Sequence, residues 1–97
     1  MKQFESLEEL RSHIDTIDEQ LVDLIAKRSA LVRYAAPFKE SVDEIKANER
    51  LDYVVQRARA NAIKNEISPN MIEDLFRRMI DEMVEVEISE FQNLGSF

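Results

Sequence analysis

Apolar side chains recur at alternating steps of three and four residues along the first forty positions of the chain. This spacing keeps them on one face of an α-helix and is typical of a coiled-coil-type packing seam. It predicts a first helix that begins with Ser6 as N-cap and runs to about Phe38, where Pro37 should kink or stop it. The seam consists of Leu7, Leu10, Ile14, Ile17, Leu21, Leu24, Leu31, Ala35 and Phe38.

A second helix is predicted to be shorter and only moderately apolar. Asn48 is expected to cap it, and the helix should run from Glu49 to about Lys64. Residues 40–47 before it are expected to form a connecting loop, and residues 65–67 after it a turn. Its predicted inner face consists of Leu51, Val54, Val55, Ala58 and Ala62.

A third helix is predicted to begin at Ser68-Pro69. Ser68 is suited to the N-cap, and Pro69 to the first helical position, where the missing N–H of proline is not needed. The helix should run to about Phe91, and residues 93–97, NLGSF, are expected to fray. Its apolar stripe consists of Ile72, Phe76, Ile80 and Met83.

The composition agrees with an all-α protein. Of the 97 residues, 44% are hydrophobic and 34% charged, and there are only one glycine and two prolines. Residues 1–97 are therefore predicted to form a single domain of three helices in the order long, short, long. There is no cysteine, so neither a disulfide nor a thiolate nucleophile or metal site is available.

Net charge and hydropathy argue against two classes of partner, nucleic acids and membranes. Thirteen basic and twenty acidic residues give a formal net charge of −7. A field of this sign disfavours nucleic acids and anionic membrane surfaces, since both are bound largely by neutralising phosphates. No apolar run reaches the ~18 residues of a membrane span, and the amino end does not resemble a signal peptide. A soluble, cytoplasmic protein is therefore expected.

The length of the first helix predicts association between chains. About thirty residues at ~1.5 Å each make a helix of ~45 Å, which is too long for the remainder of this chain to cover. Apolar surface left uncovered favours a symmetric partner. We therefore expect an intertwined helical homodimer.

Two charged residues occupy positions where the periodicity predicts apolar ones. Arg28 lies in the seam of the first helix, and Glu87 continues the apolar stripe of the third. Since a buried, unpaired charge costs several kcal/mol, each needs a counter-charge. Either the two form a structural ion pair, or both line a polar pocket in which a small anionic ligand supplies the missing charge.

Arg11 and Lys39 flank the seam four heptads apart. Along one continuous helix they are separated by ~42 Å, whereas Arg28 and Lys39 are separated by ~16 Å. The long side chains of Arg28 and Lys39 can therefore converge on one ligand. Arg11 can join them only from a second chain packed antiparallel.

The ordered set of these residues resembles the all-helical chorismate mutases. The segment LRSHIDTIDEQLVDLIAKRSALVRYAAPFK, residues 10–39, is similar to the first helix of that family. NERL at 48–51 and MIEDLFRRMIDEMVEVEISE at 71–90 are similar to its second and third helices. The resemblance covers nearly the whole chain at matching spacing.

The resemblance implies an intertwined homodimer with two equivalent pockets for a small dicarboxylate, chorismate. It implies that Arg11 reaches one substrate carboxylate from the partner chain while Arg28 holds the other. Lys39 and Glu87 are implied to hydrogen-bond the ether oxygen whose bond breaks, and Glu49 to accept the ring hydroxyl. The implied reaction is the pericyclic rearrangement of chorismate to prephenate in aromatic amino acid biosynthesis, without covalent catalysis, cofactor or metal.

Two other functions stay open. The short loop over residues 40–48 resembles that of the isochorismate pyruvate lyases, which make salicylate and pyruvate, and Asn48 stands where mutases often carry a substrate-contacting arginine. Glu87 favours the mutase, because those lyases usually have glutamine there. The third candidate is a non-catalytic helical dimer of the same fold.

Overall fold

A computed structural model describes residues 3–94, and this part of the chain is all-helical and contains no strand. The predicted all-α class and the order of three main helices are confirmed. The chain divides into two compact units, Met1–Leu31 and Val32–Phe97. The elements are α1 at Leu7–Ala35, a 3-10 turn at Ala36–Phe38, α2 at Val42–Ile45, α3 at Asn48–Lys64 and α4 at Pro69–Leu94.

Helix α1 begins as its sequence predicts. The backbone N–H of Glu9 donates to the Ser6 hydroxyl at 3.1 Å, and the Glu9 carboxylate accepts the N–H of Glu5 at 3.0 Å. The first bond satisfies one of the N–H groups that the start of a helix leaves free, and the second ties the residue before the N-cap to the first turn. Glu8 and Glu9 also place negative charge in the first turn, where the helix dipole favours it.

The end of α1 differs from the prediction. The α-helix stops at Ala35, three residues before Phe38, and Pro37 lies in the 3-10 turn that follows. Because proline lacks an N–H and crowds the preceding turn, it does not continue the α-helical hydrogen-bond ladder. Lys39 then adopts an extended conformation, with φ −95° and ψ 147°. The predicted stop at Pro37 is thus confirmed, and the α-helical register on which the ~16 Å spacing of Arg28 and Lys39 was calculated does not extend to Lys39.

The segment predicted as a loop at 40–47 contains the single-turn helix α2. The Ser41 hydroxyl caps it by accepting the Glu44 N–H at 3.2 Å, and Ile45 is buried. The predicted N-cap of the next helix is also one residue off. Asn48 is the first helical residue, and the N-cap position belongs to Ala47, which makes no side-chain cap.

The turn between α3 and α4 agrees with the prediction for residues 65–67. The Ile67 N–H donates to the Ala62 carbonyl at 3.0 Å and the Glu66 N–H to that of Ile63 at 3.1 Å. These are the two bonds of a Schellman motif, with Glu66 at φ 59° in the left-handed position. Ser68 then caps α4 by accepting the Met71 N–H at 3.1 Å, as predicted.

Helix α4 is the element on which the second unit is built. It packs along α3 and also contacts the 3-10 turn and α2. The predicted inner faces of α3 and α4 are confirmed, because their members are buried or half-buried. Helix α4 continues to Leu94 rather than ending near Phe91, and of the segment predicted to fray, residues 95–97 lie outside the described residues. The buried apolar side chains are Ala36, Ile45, Val55, Ala58, Ala62 and Met83.

The seam of α1 is apolar and exposed. Leu7, Ile14, Leu21 and Leu24 expose between 48% and 60% of their surface. A row of large apolar side chains in contact with water is a surface that favours association. The predicted homodimer accounts for this row and stays a prediction. No helix within residues 3–94 is both long and apolar enough to cross a membrane.

A carboxylate on α4 joins this helix to α3. Glu73 Oε1 accepts a hydrogen bond from Arg59 Nη1 at 2.8 Å, and its Oε2 accepts one from Arg77 Nε at 2.7 Å. The same Arg59 nitrogen donates to Asn70 Oδ1 at 3.0 Å. The hydrogen bond from Arg77, with a second from Arg59, lowers the pKa of Glu73 although partial burial opposes this.

Replacing Glu73 with glutamine is expected to destabilise the fold modestly at neutral pH. A carboxyl whose pKa is lowered by folding stabilises the protein above its unfolded pKa, and this stabilisation is lost as the pH falls through the folded value. The difference between wild type and Glu73→Gln in urea unfolding should therefore shrink on acidification. Glu82→Gln is the control, because Glu82 pairs only with Arg78 on its own helix at an exposed position. Equal effects of the two substitutions at every pH contradict the prediction.

Candidate active site

Lys39 and Glu87 approach each other within the second unit. Lys39 Nζ lies 3.4 Å from Glu87 Oε2, and the two side chains are 25% and 10% exposed. They come from different elements, since Lys39 follows the 3-10 turn and Glu87 lies on α4. The structure therefore brings together two of the predicted site residues that are far apart in sequence.

The 3-10 turn holds the backbone of Lys39 near α4. Ala36 in this turn is completely buried, and the turn contacts α4. The Lys39 N–H donates to the Ala36 carbonyl at 3.1 Å. The buried Ala36 and this hydrogen bond therefore anchor the segment that carries Lys39.

Glu87 lies on the apolar stripe of α4, one turn beyond the buried Met83, and only 8% of its surface is exposed. Its Oε2 atom is buried and has no hydrogen-bond partner among the described residues, because the contact with Lys39 satisfies the distance of an ion pair but not hydrogen-bond geometry. A buried polar oxygen left without a hydrogen bond costs about 1–3 kcal/mol. Such an atom in a native fold is a candidate for binding a ligand.

The pair can act on a single acceptor atom of a ligand. A lysine ammonium has three N–H donors, and Lys39 Nζ makes no hydrogen bond within residues 3–94. A glutamic acid that is protonated adds an O–H donor. The arrangement can therefore stabilise negative charge that develops on one oxygen atom, in a place largely screened from water. Over the same residues there is no cluster of three or more His, Asp or Glu side chains that could hold a metal ion.

The other three predicted site residues have these positions. Arg28 is half-buried and Arg11 is exposed, and both lie on α1 within the first unit. Glu49 is exposed in the first turn of α3, where the helix dipole favours a carboxylate. On a straight helix Arg11 and Arg28 are about 25 Å apart, since each residue adds ~1.5 Å. One chain therefore cannot bring both guanidinium groups to the same small ligand.

Sequence reasoning missed the capped turn beside Lys39. Ser41 and Glu44 form a capping box, in which the serine caps the helix and the glutamate accepts a backbone N–H, here that of Glu40 at 2.9 Å. The signal was present as the Ser-x-x-Glu spacing of residues 41–44. It was overlooked because a helix of four residues has no apolar periodicity.

Comparison with known proteins identifies the class. The sequence model of the chorismate mutase type II family matches residues 10–88, and the chain belongs to this family. The matched range contains all five predicted site residues and spans parts of both units. The resemblance inferred from the residues is thus confirmed.

A curated relative agrees with this assignment. The chain is 40% identical over 83 residues to the T-protein of Haemophilus influenzae. The match covers 84% of this chain and 22% of the relative, so the chain spans about a fifth of the length of the T-protein.

Removing each member of the Lys39–Glu87 pair is expected to have opposite effects on stability. Glu87→Met removes a buried oxygen that has no hydrogen bond and should be neutral or stabilise by up to about 2 kcal/mol, since Lys39 can turn to solvent. Lys39→Met leaves the buried carboxylate without its cation and should destabilise by roughly 1–3 kcal/mol. Urea unfolding at equal protein concentration measures both. Destabilisation by Glu87→Met as large as that by Lys39→Met would show that the ion pair stabilises the fold.

Proposed function

We propose that the protein is a chorismate mutase, which rearranges chorismate to prephenate. The observation that carries the proposal is the contact between Lys39 and Glu87, two buried or half-buried polar side chains with unused hydrogen-bonding capacity in a chain of this family. Lys39 and Glu87 can both donate a hydrogen bond to the same atom. This suits an anionic substrate in which negative charge develops on an oxygen during the reaction. Neither a nucleophile nor a cofactor has a part in the proposal.

The reaction explains why binding groups alone are sufficient. In this rearrangement the ether C–O bond breaks while a new C–C bond forms, and no atom enters or leaves the substrate. The difficulty is conformational, because the enolpyruvyl arm of a flexible dianion must fold over the ring. Arg28 and Arg11 hold the two carboxylates, since guanidinium–carboxylate pairs fix both position and orientation.

The ether oxygen gains negative charge as its bond to the ring breaks. Lys39 donates to this oxygen, and a donor that is already in place contributes most in a site that excludes water. Glu87 donates to the same oxygen when it is protonated, and Glu49 accepts the ring hydroxyl. The hydrogen bonds to the ether oxygen strengthen in the transition state, so Lys39 and Glu87 accelerate the reaction by differential binding, whereas Glu49 helps to position the ring.

The proposal requires a dimer. The separation of about 25 Å between Arg11 and Arg28 on α1 exceeds the size of chorismate, so Arg11 must come from a second copy of the chain. Support comes from the exposed apolar row of α1, which an antiparallel partner helix covers. The pocket is then made from two chains.

Separate incubation with chorismate and with isochorismate tests the function. Prephenate from chorismate is the expected product. Salicylate and pyruvate from isochorismate instead identify the lyase, and the absence of product from either substrate favours a non-catalytic dimer. The Lys39→Ala variant is the control, because it removes the proposed donor and should lower kcat by about 10²-fold or more.

Mixed dimers test whether Arg11 acts across the interface. Arg11→Ala and Lys39→Ala are each expected to be inactive alone. After unfolding and refolding together, half of the dimers contain both variants and have one intact pocket of two, so about one quarter of wild-type activity should return. Arg28→Ala mixed with Lys39→Ala is the matched control and should recover nothing, since both residues serve the same pocket from one chain. If the mixture of Arg11→Ala and Lys39→Ala recovers no activity, Arg11 serves the pocket of its own chain and the proposal is contradicted.

Substitution of Glu87 tests its role as a donor. Glutamine is a permanent N–H donor of similar shape, so Glu87→Gln should retain activity, whereas Glu87→Leu should lose about 10²-fold in kcat. A loss of activity in Glu87→Gln as large as that in Glu87→Leu contradicts the donor role of Glu87.

A further inference from the structure

Two hydrogen bonds restrain the backbone around Lys39, one on each side of the residue. On the amino side the Lys39 N–H donates to the Ala36 carbonyl at 3.1 Å. On the carboxyl side the N–H of Glu40, the next residue, donates to Glu44 Oε2 at 2.9 Å. The backbone of Lys39 is therefore held between a 3-10 turn and a carboxylate of α2.

Helix α2 depends on its cap to exist. It has four residues, which is far below the length at which a helix is stable by itself. Ser41 Oγ accepts the Glu44 N–H at 3.2 Å, and this bond orients Glu44 so that its carboxylate reaches back to Glu40. Burial of Ile45 fixes the other end of the turn, and α2 contacts α4, the helix of Glu87.

The lysine side chain cannot position its own ammonium. Its four carbons have many rotamers of similar energy, so the place of Nζ depends on where the backbone directs the chain. A displacement of about 1 Å in a catalytic group can cost up to 10²-fold in rate. The precision with which Nζ faces Glu87 at 3.4 Å therefore comes from the backbone restraints on Lys39 and Glu40.

We infer that Ser41 and Glu44 are positioning residues, whose capping box holds the Lys39 ammonium against Glu87. The inference rests on the proposed function, in which Lys39 donates to the ether oxygen of the substrate. Neither residue touches the Lys39–Glu87 pair through a hydrogen bond, so each acts through the backbone. The Ser41-x-x-Glu44 spacing is then part of the catalytic apparatus and not only a helix signal.

The chain offers a matched cap elsewhere. Ser68 caps α4 by the same bond, to the N–H three residues ahead at 3.1 Å. It lies about 28 Å from Glu87 along α4, since each residue adds ~1.5 Å. Ser68→Ala therefore removes a comparable cap without touching the segment of Lys39. A helix of 26 residues also survives the loss of its cap, whereas one of four residues does not.

The kinetic experiment compares Ser41→Ala and Glu44→Ala with wild type, at a temperature where all variants are folded. Each is expected to lower kcat by about tenfold with KM unchanged, because a misplaced donor weakens the transition state and not the binding of the carboxylates. The conservative variants Ser41→Thr and Glu44→Gln keep the acceptors and should recover most of the rate. Ser68→Ala should retain wild-type kcat. Equal loss in Ser68→Ala, or no loss in Ser41→Ala, overturns the inference.

A second measurement needs no substrate and separates this inference from the proposed function. Amide hydrogen exchange at Glu40 should quicken about fivefold or more in Ser41→Ala, in keeping with the loss of one cap. Nuclear Overhauser contacts between the Lys39 and Glu87 side chains should weaken in the same variant and remain in Ser68→Ala. If wild type does not convert chorismate, the proposed function fails while loss of these contacts still supports the positioning role. Contacts that persist in Ser41→Ala overturn it, whatever the protein does with chorismate.

Discussion

A buried carboxylate within the apolar stripe of α4 is the constraint around which the candidate site of the second unit is arranged. Glu87 is almost fully buried, and one of its oxygens has no hydrogen bond within the described residues. Lys39 is the cation beside it. Because a buried charge pair adds little net stability, an apolar side chain at position 87 would stabilise the fold at least as well. The fold thus keeps a costly arrangement, which is typical of a site that must bind or stabilise charge.

The path of the chain before α2 follows from this constraint. If the α-helix continued through Pro37, Lys39 would stay on the face that its heptad position dictates. Pro37 instead lies in a 3-10 turn that contacts α4 and contains the buried Ala36, and Lys39 follows this turn in an extended conformation. The end of one helix and the capped turn of the next therefore direct a single ammonium at Glu87.

The sequence predicts the long elements well because each repeats its signal many times. The stripe of α4 and the Ser68 cap carry enough independent evidence to fix both the helix and its inner face, and the irregular residue in that stripe, Glu87, marks the site. The stop at Pro37 was predicted, but the 3-10 turn and the single-turn helix α2 within residues 36–47 were not, because they depend on one cap and on contacts with α4. The Arg59–Glu73 link between α3 and α4 was not foreseen either, since no local pattern specifies which exposed charges meet.

In the proposed dimer, the rigidity of α1 is the reason for dividing the site between chains. A helix of 29 residues separates its own Arg11 and Arg28 by about 25 Å, and no side-chain rotamer closes that distance. We propose that α1 pairs antiparallel with a copy of itself, an arrangement that places Arg11 of one chain beside Arg28 of the other. In this proposed dimer, the helix length that prevents one chain from surrounding a small dianion allows two chains to form two such pockets, one at each end of the helix pair. On this view the exposed apolar row of α1 and the separation of its arginines have one physical origin.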